Sequence, residues 1–172
     1  MVNLVQNGYT VDEVKLGLKT EDMIELVSSW TPAEKPDVII CPLMKTRIPP
    51  ELYENVLTLV VHPGPPGDRG ASSLDWCVFL NKPEWGVIVV EAHEDFDAGN
   101  VWGYELFSVS ETDTKSSIYR RQVQKSAINS ILEALRKIET NKTTGEKIPV
   151  KLATEYDYGI LRDNWRRKQR KM

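Results

Sequence analysis

The sequence predicts an α/β fold: a Rossmann-like, mostly parallel sheet with flanking helices. Three observations carry that prediction. Short apolar runs, DVIICP at 37–42, VLTLVV at 56–61 and GVIVVE at 86–91, have the length and continuity of strands buried on both faces. Stretches with helical apolar spacing lie between or after them, as in chains that wind helices over a parallel sheet. No segment repeats, and 172 residues with 41% hydrophobic content suit one domain with a real core.

Taken in order, Tyr9 to Leu16 alternates loosely and reads as a short strand. Thr20 is an N-cap candidate, with Glu21 and Asp22 in the first turn and Met23, Ile24, Leu26, Val27 and Trp30 as an apolar stripe. TPAEKP ends that helix, and the strand 37–42 follows. Pro49 and Pro50 start a short helix through Tyr53 and Glu54, ahead of the strand 56–61. Ser72 or Ser73 caps a helix bearing Leu74, Trp76, Cys77, Phe79 and Leu80. After the strand 86–91, Asp95 to Asn100 is a turn, and Val101 to Val109 alternates as a strand. Thr114 to Glu139 is a long helix with Ile118, Val123, Ile128, Ile131, Leu132, Leu135 and Ile138 on its apolar side. Ile148 to Leu152 reads as a last strand or a linker.

Composition narrows the function. A net charge of −3 argues against a nucleic-acid protein, and 27% charged residues with a full apolar complement argue against disorder. No apolar run reaches the roughly 18 residues that span a membrane, and the N-terminus does not read as a signal peptide. Cys41 and Cys77 lie far apart without metal spacing, which fits a reduced cytoplasmic compartment. Asn141-Lys142-Thr143 matches a glycosylation sequon and reads as chance in that setting. There is no GxGxxG and no P-loop, so nothing marks a nucleotide phosphate site. The segment Arg162 to Lys171 carries six basic residues and one acidic residue, and reads as a solvated tail more than a polyanion site.

One stretch stands apart. The apolar run 56–61 delivers His62, one of two histidines, into Pro63-Gly64-Pro65-Pro66-Gly67-Asp68-Arg69-Gly70. Sheets of this kind bind ligands beyond the carboxyl ends of their strands. Prolines stiffen such a loop, glycines let backbone approach a ligand, and histidine suits proton transfer. The bland alternative is a histidine that only bonds a loop backbone. Asp95 and Asp97, with Glu94, are either an acidic turn making local backbone bonds or a carboxylate facing His62. Asp68 and Arg69 read as an ion pair shaping the loop, with Arg69 otherwise free to hold a substrate anion. Cys41 and Cys77 sit in apolar patterns and read as packing, and no histidine spacing suggests a metal.

HPGPPGDRGASSLDW at 62–76, EWGVIVVEAHEDFDAGNVW at 84–102 and KSSIYRRQV at 115–123 together resemble the 10-formyltetrahydrofolate-dependent formyltransferase family. The resemblance runs over roughly 8–135 and is nearest to the formyltransferase-like N-terminal region of the branch that makes carbon monoxide for hydrogenase maturation. It implies His62 and Asp97 as catalytic residues, with Pro63, Gly64, Gly67, Arg69, Gly70 and Asp95 lining the substrate. It implies 10-formyltetrahydrofolate as formyl donor, bound between the loop after His62 and the 94–100 turn, with coenzyme A as a possible acceptor. The family's usual Asn two residues before the histidine is Val60 here, as in the maturation branch. Relative to the family, the first strand and helix are expected to be missing, so a second chain or another copy would complete the sheet. Residues 1–140 then form the formyltransferase-like domain, and 141–172 a linker and basic tail. The alternative is a non-catalytic remnant that binds a partner.

Overall fold

The computed structural model describes residues 19–140. The expected strands at 9–16 and 148–152, the sequon, the basic tail and the expected loss of the family's first strand and helix concern the chain outside the described residues. In order come α1 (Thr20–Ser29), β1 (Val38–Pro42), α2 (Pro50–Tyr53), β2 (Leu57–His62), α3 (Ser73–Phe79), β3 (Glu84–Glu91), β4 (Val101–Ser108), α4 (Lys115–Ile118), a π-helical turn (Tyr119–Val123) and α5 (Gln124–Thr140).

The α/β class holds, with helices over a four-stranded sheet of order β1-β2-β3-β4. Strand direction differs from expectation. Only β1 and β2 pair in parallel; β2–β3 and β3–β4 are antiparallel, so among the described residues the sheet is mixed rather than mostly parallel. β3 runs back along β2, pairing His62 with Ile88 and Leu59 with Glu91. Runs buried on both faces lack the polar–apolar alternation that marks one-sided strands and carry no direction, so their pattern leaves parallel and antiparallel pairing open. No helix separates β3 from β4, so they form a hairpin.

Both faces of the sheet are covered, as the unbroken apolar runs require. Leu59 and Val61 of β2 and Trp85, Val87 and Val89 of β3 point to one side, against α3, α4 and α5. The alternate residues Val60, Ile88 and Val90 point to the other, which also holds Val101. Val60 further joins the cluster of Met23, Cys41, Ile48 and Leu52 beneath α1 and α2. The expected cap at Thr20 moves back by one residue. Lys19 is the N-cap, and its amide N–H donates to Asp22 Oδ2 at 2.8 Å.

The long helix is interrupted where the apolar spacing is irregular. Ile118 and Val123 are five residues apart and both fully buried. At 100° per residue an α-helix would separate them by about 140°. The wider π turn over 119–123 absorbs an extra residue and keeps both on the core. Downstream, Ala127, Ile131, Ala134 and Leu135 are buried, whereas Ile128 and Leu132 are only partly so. Gly103 of β4 meets α5 closely: a Cβ there would lie 2.4 Å from the Ser130 carbonyl oxygen.

Burial pushes the Cys41 thiol up from its ordinary 9.0 to about 12. Burial, reinforced by the Asp68 carboxylate and opposed by Lys82, does the same for Cys77. Both thiols therefore stay protonated in the fold, which fits packing rather than nucleophilic roles.

Two predictions follow from the packing. Because the folded thiols ionise later than the unfolded ones, their contribution to stability is complete below pH ~9 and is lost as pH rises towards 12. Urea melts should show a lower midpoint at pH ~10.5 than at pH ~8, and both thiols should alkylate slowly until denaturant is added. The second concerns Gly103→Ala, which must push β4 off α5. It should cost about 1–3 kcal/mol, read from the shift in a denaturant melt.

Candidate active site

The site is built at the carboxyl end of β2. His62 is the last residue of that strand and is 5% exposed. Directly after it, the Pro63 carbonyl accepts two donors, the Ser73 hydroxyl at 2.6 Å and the Trp85 indole N–H at 3.0 Å. Trp85 itself is fully buried. The start of the loop is thus fastened to both α3 and β3. Pro65-Pro66-Gly67-Asp68 then turns back: the Asp68 N–H donates to the Pro65 carbonyl at 2.9 Å, with Gly67 at φ 93°. That is a type II turn, in which proline suits the second position and glycine the third.

The turn returns the Asp68 carboxylate to the histidine. Asp68 Oδ2 lies 2.7 Å from His62 Nε2, and the two side chains are 1% and 5% exposed. The expected Asp68–Arg69 pair is therefore replaced: Asp68 faces inward to His62, while Arg69 is exposed. The turn ends on Asp68 and returns its carboxylate to the ring, so that carboxylate is engaged by His62 before Arg69 follows. Gly64 leaves room for the contact. A Cβ there would fall 2.3 Å from Asp68 Oδ2 and 2.5 Å from His62 Nε2.

The other ring nitrogen faces the loop between β3 and β4. Asp97 Oδ2 is 3.2 Å from His62 Nδ1, and the Asp97 side chain is 10% exposed. The same oxygen accepts the Gly70 N–H at 2.8 Å, which links the two loops. Asp97 stands at φ 53°, in the left-handed region that Asp tolerates better than most residues. Its loop is braced at the base. Glu91 accepts from Asn100 Nδ2 at 2.6 Å and from Trp102 Nε1 at 2.9 Å. A Cβ on Gly99 would sit 2.0 Å from the Glu91 carbonyl oxygen. Further out, Arg47 donates to the Glu94 carbonyl at 2.8 Å and lies 5.7 Å from the Phe96 ring centre.

The structure thus brings together His62, Asp97 and Asp68, with Pro63, Gly64, Gly67 and Gly70 shaping the loop around them. It does not bring Asp95 to that cluster through any hydrogen bond: Asp95 is exposed, and its N–H donates to His93 Nδ1 at 3.1 Å. Arg69 likewise faces outward. Sequence reasoning missed Asp68 as a partner of His62. Its one available signal was the Pro-Pro-Gly-Asp order, which specifies a tight turn ending at that carboxylate. Among the described residues no three His, Cys, Asp or Glu side chains are arranged to hold a metal ion.

Chemically, an imidazole lies between two carboxylates of different exposure. A neutral imidazole has one N–H to donate and one lone pair to accept. Such a group can store a proton on the side that faces a ligand while the other side stays bonded.

No family model matches the chain. It is 40% identical to the hydrogenase maturation factor HoxX of Bradyrhizobium diazoefficiens over 141 residues, which is 82% of this chain and 24% of HoxX. It is 30% identical over 96 residues to a GDP-perosamine N-formyltransferase of Brucella melitensis, covering 54% of this chain and 37% of that enzyme. Its fold matches HypX from Aquifex aeolicus, solved in complex with tetrahydrofolic acid, with a TM-score of 0.73 and 37% identity over 83% of this chain and 24% of HypX. A likely sugar N-formyltransferase from Mycobacterium tuberculosis shares the fold at a TM-score of 0.61 and 21% identity, over 81% of this chain and 57% of that one. The chain spans about a quarter of the length of the hydrogenase maturation factors it matches. By sequence and by fold, the chain belongs to the formyltransferase family and is a relative of HoxX and HypX.

Proposed function

We propose that this domain binds 10-formyltetrahydrofolate beside His62 and transfers or releases its formyl group. The observation that carries the reading is the meeting of His62 and Asp97 at 3.2 Å, from two separate strand ends and within the residues that resemble the family. The HypX structure with tetrahydrofolic acid supports a folate as ligand. The folate would lie between the 63–72 loop and the 94–100 loop.

A nucleophile attacks the formyl carbon, and charge develops on the formyl oxygen. His62 handles the proton that this step frees, and Asp97 orients the ring. The acceptor of the formyl group, a thiol, an amine or water, is set outside the described cluster. The kinship with hydrogenase maturation factors favours coenzyme A, whose thiol would give a formyl thioester. Val60 offers no side-chain donor to the oxyanion, so that stabilisation falls to His62 and to backbone N–H groups. One such donor is typically worth about 10²–10³ in rate. Among the described residues no helix is long and apolar enough to cross a membrane, consistent with a reaction on small dissolved molecules.

The geometry dictates which variants test the reading. His62→Ala would leave Asp68 buried without its partner, and breaking such a pair costs about 3–5 kcal/mol. Loss of turnover in that variant would be confounded with loss of fold. Asp97→Asn is cleaner, since Asn also tolerates the left-handed backbone and can accept the Gly70 N–H.

Thermal melts of the full chain should rise by several degrees with 5-formyltetrahydrofolate at about 100 times its Kd, a gain of about 2.7 kcal/mol. Asp97→Asn should keep a cooperative melt while formyl transfer from 10-formyltetrahydrofolate drops about 10²–10⁴-fold. A cooperative wild-type melt that does not move at saturating ligand would favour the non-catalytic remnant. Gly64→Ala should lower the melting temperature and abolish transfer, because the new methyl group occupies the space of the His62–Asp68 contact.

A further inference from the structure

The proposed chemistry leaves Asp68 unexplained. It is a carboxylate with 1% exposure, closer to His62 than Asp97 is, and lies behind the ring relative to the more exposed Asp97. Three features show that the fold is shaped around this contact. The type II turn ends on Asp68 and fixes where its carboxylate returns. Gly64 is the only residue type that leaves both Asp68 Oδ2 and His62 Nε2 where they are. The Pro63 carbonyl, held by Ser73 and Trp85, sets the start of the loop that carries Asp68.

In a neutral imidazole the two carboxylates compete for a single N–H, and the competition is unequal. Asp68 Oδ2 lies at 2.7 Å from Nε2, whereas Asp97 Oδ2 lies at 3.2 Å from Nδ1. Asp97 Oδ2 already accepts the Gly70 N–H at 2.8 Å. Asp68 is also the more buried of the two, so an unanswered charge costs more there. We propose that Asp68 is a positioning residue, whose buried carboxylate fixes His62 as the Nε2–H tautomer and so reserves Nδ1 as the working nitrogen.

This inference deepens the formyl-transfer reading and rests on it for its catalytic consequence. With Nε2 committed to Asp68, Nδ1 presents a lone pair beside Asp97. As the nucleophile bonds to the formyl carbon, its proton passes to Nδ1. As the bond from the formyl carbon to the folate nitrogen breaks, the same proton passes from Nδ1 to that nitrogen. One bond forms, one breaks, and the proton count closes without a further reactant. In the opposite tautomer Nδ1 already carries a proton and cannot accept the first transfer.

The test is Asp68→Asn in the full chain. The side-chain shape is nearly kept, but the charge that selects Nε2–H is gone, and an amide N–H can donate to Nε2 instead. Asp97 then becomes the strongest acceptor, and the ring proton should move to Nδ1. The chain has only two histidines, and exposed His93 serves as an internal control in ¹⁵N spectra. Above the imidazole titration, wild-type His62 should show a protonated Nε2 and a bare Nδ1, and Asp68→Asn should show the reverse. The variant's kcat should fall about 10²–10⁴-fold, as expected for a wrongly protonated base, while its melting shift with 5-formyltetrahydrofolate stays at the wild-type value. A wild-type ring protonated on Nδ1, on both nitrogens throughout, or with the same tautomer in both proteins would overturn the proposal. If Asp68→Asn does not fold, Asp97→Asn in the same spectrum decides the matter: it should leave Nε2 protonated, and loss of that state would assign the tautomer to Asp97 instead. Absence of any folate shift in the wild type would sink the formyl-transfer reading while leaving the tautomer assignment to the spectra.

Discussion

The Pro63 carbonyl is the fixed point of the structure around the site. It sits one residue beyond the strand that delivers His62, and its two donors come from elements that follow much later in the chain. A buried indole N–H must find an acceptor, and the Pro63 carbonyl supplies it while also taking the Ser73 hydroxyl. The end of β2, the start of α3 and the start of β3 are thereby locked together. With Pro63 fixed, Pro66 and Gly67 leave little choice in the path of the loop, and Asp68 comes back to the ring. Without it, the rigid prolines would still form a turn, but the turn would have no fixed direction.

The second loop obeys a different constraint. It enters from one strand and leaves by its antiparallel neighbour, so its two ends are held side by side by the sheet. Glu91 adds a polar brace across that neck, taking one donor from Asn100 and one from Trp102. The close approach of Gly99 to the Glu91 carbonyl narrows the neck further. Asp97 is thereby carried on a short, closed loop rather than a mobile one, and its left-handed backbone is the local cost of aiming it at His62.

Much of this was legible in the sequence, and the unread parts have physical causes. The strands β1, β2 and β3 show as unbroken apolar runs because burial on both faces removes the polar residues. His62 and Asp97 stood out through the resemblance, since composition alone could not separate Asp97 from Asp95. Those two residues alternate in an acidic turn, and only backbone dihedrals decide which one faces inward. Strand direction is not legible in the same runs, because an apolar run carries no sign and both kinds of pairing bury it equally well. The π turn hid for a similar reason, since the spacing from Ile118 to Val123 fits no regular period. Adjacency in sequence suggests pairing Asp68 with Arg69, whereas the type II turn ending on Asp68 gives its carboxylate to His62.

The π turn also bears on how this domain can change over time. A helix that already holds one surplus residue has spent its tolerance for length. Deleting a residue between Ile118 and Val123 would restore an ordinary helix locally. Inserting another would need a second wide turn. An insertion not taken up in that way turns everything from Gln124 onward by about 100° about the helix axis, carrying Ala127, Ile131 and Ala134 out of the core and Gln124 and Lys125 towards it. Sequence drift at this helix is therefore open to substitution and to loss of the surplus residue, and closed to further insertion. The loops bearing His62 and Asp97 rest on a sheet whose far cover can be repainted residue by residue but not lengthened.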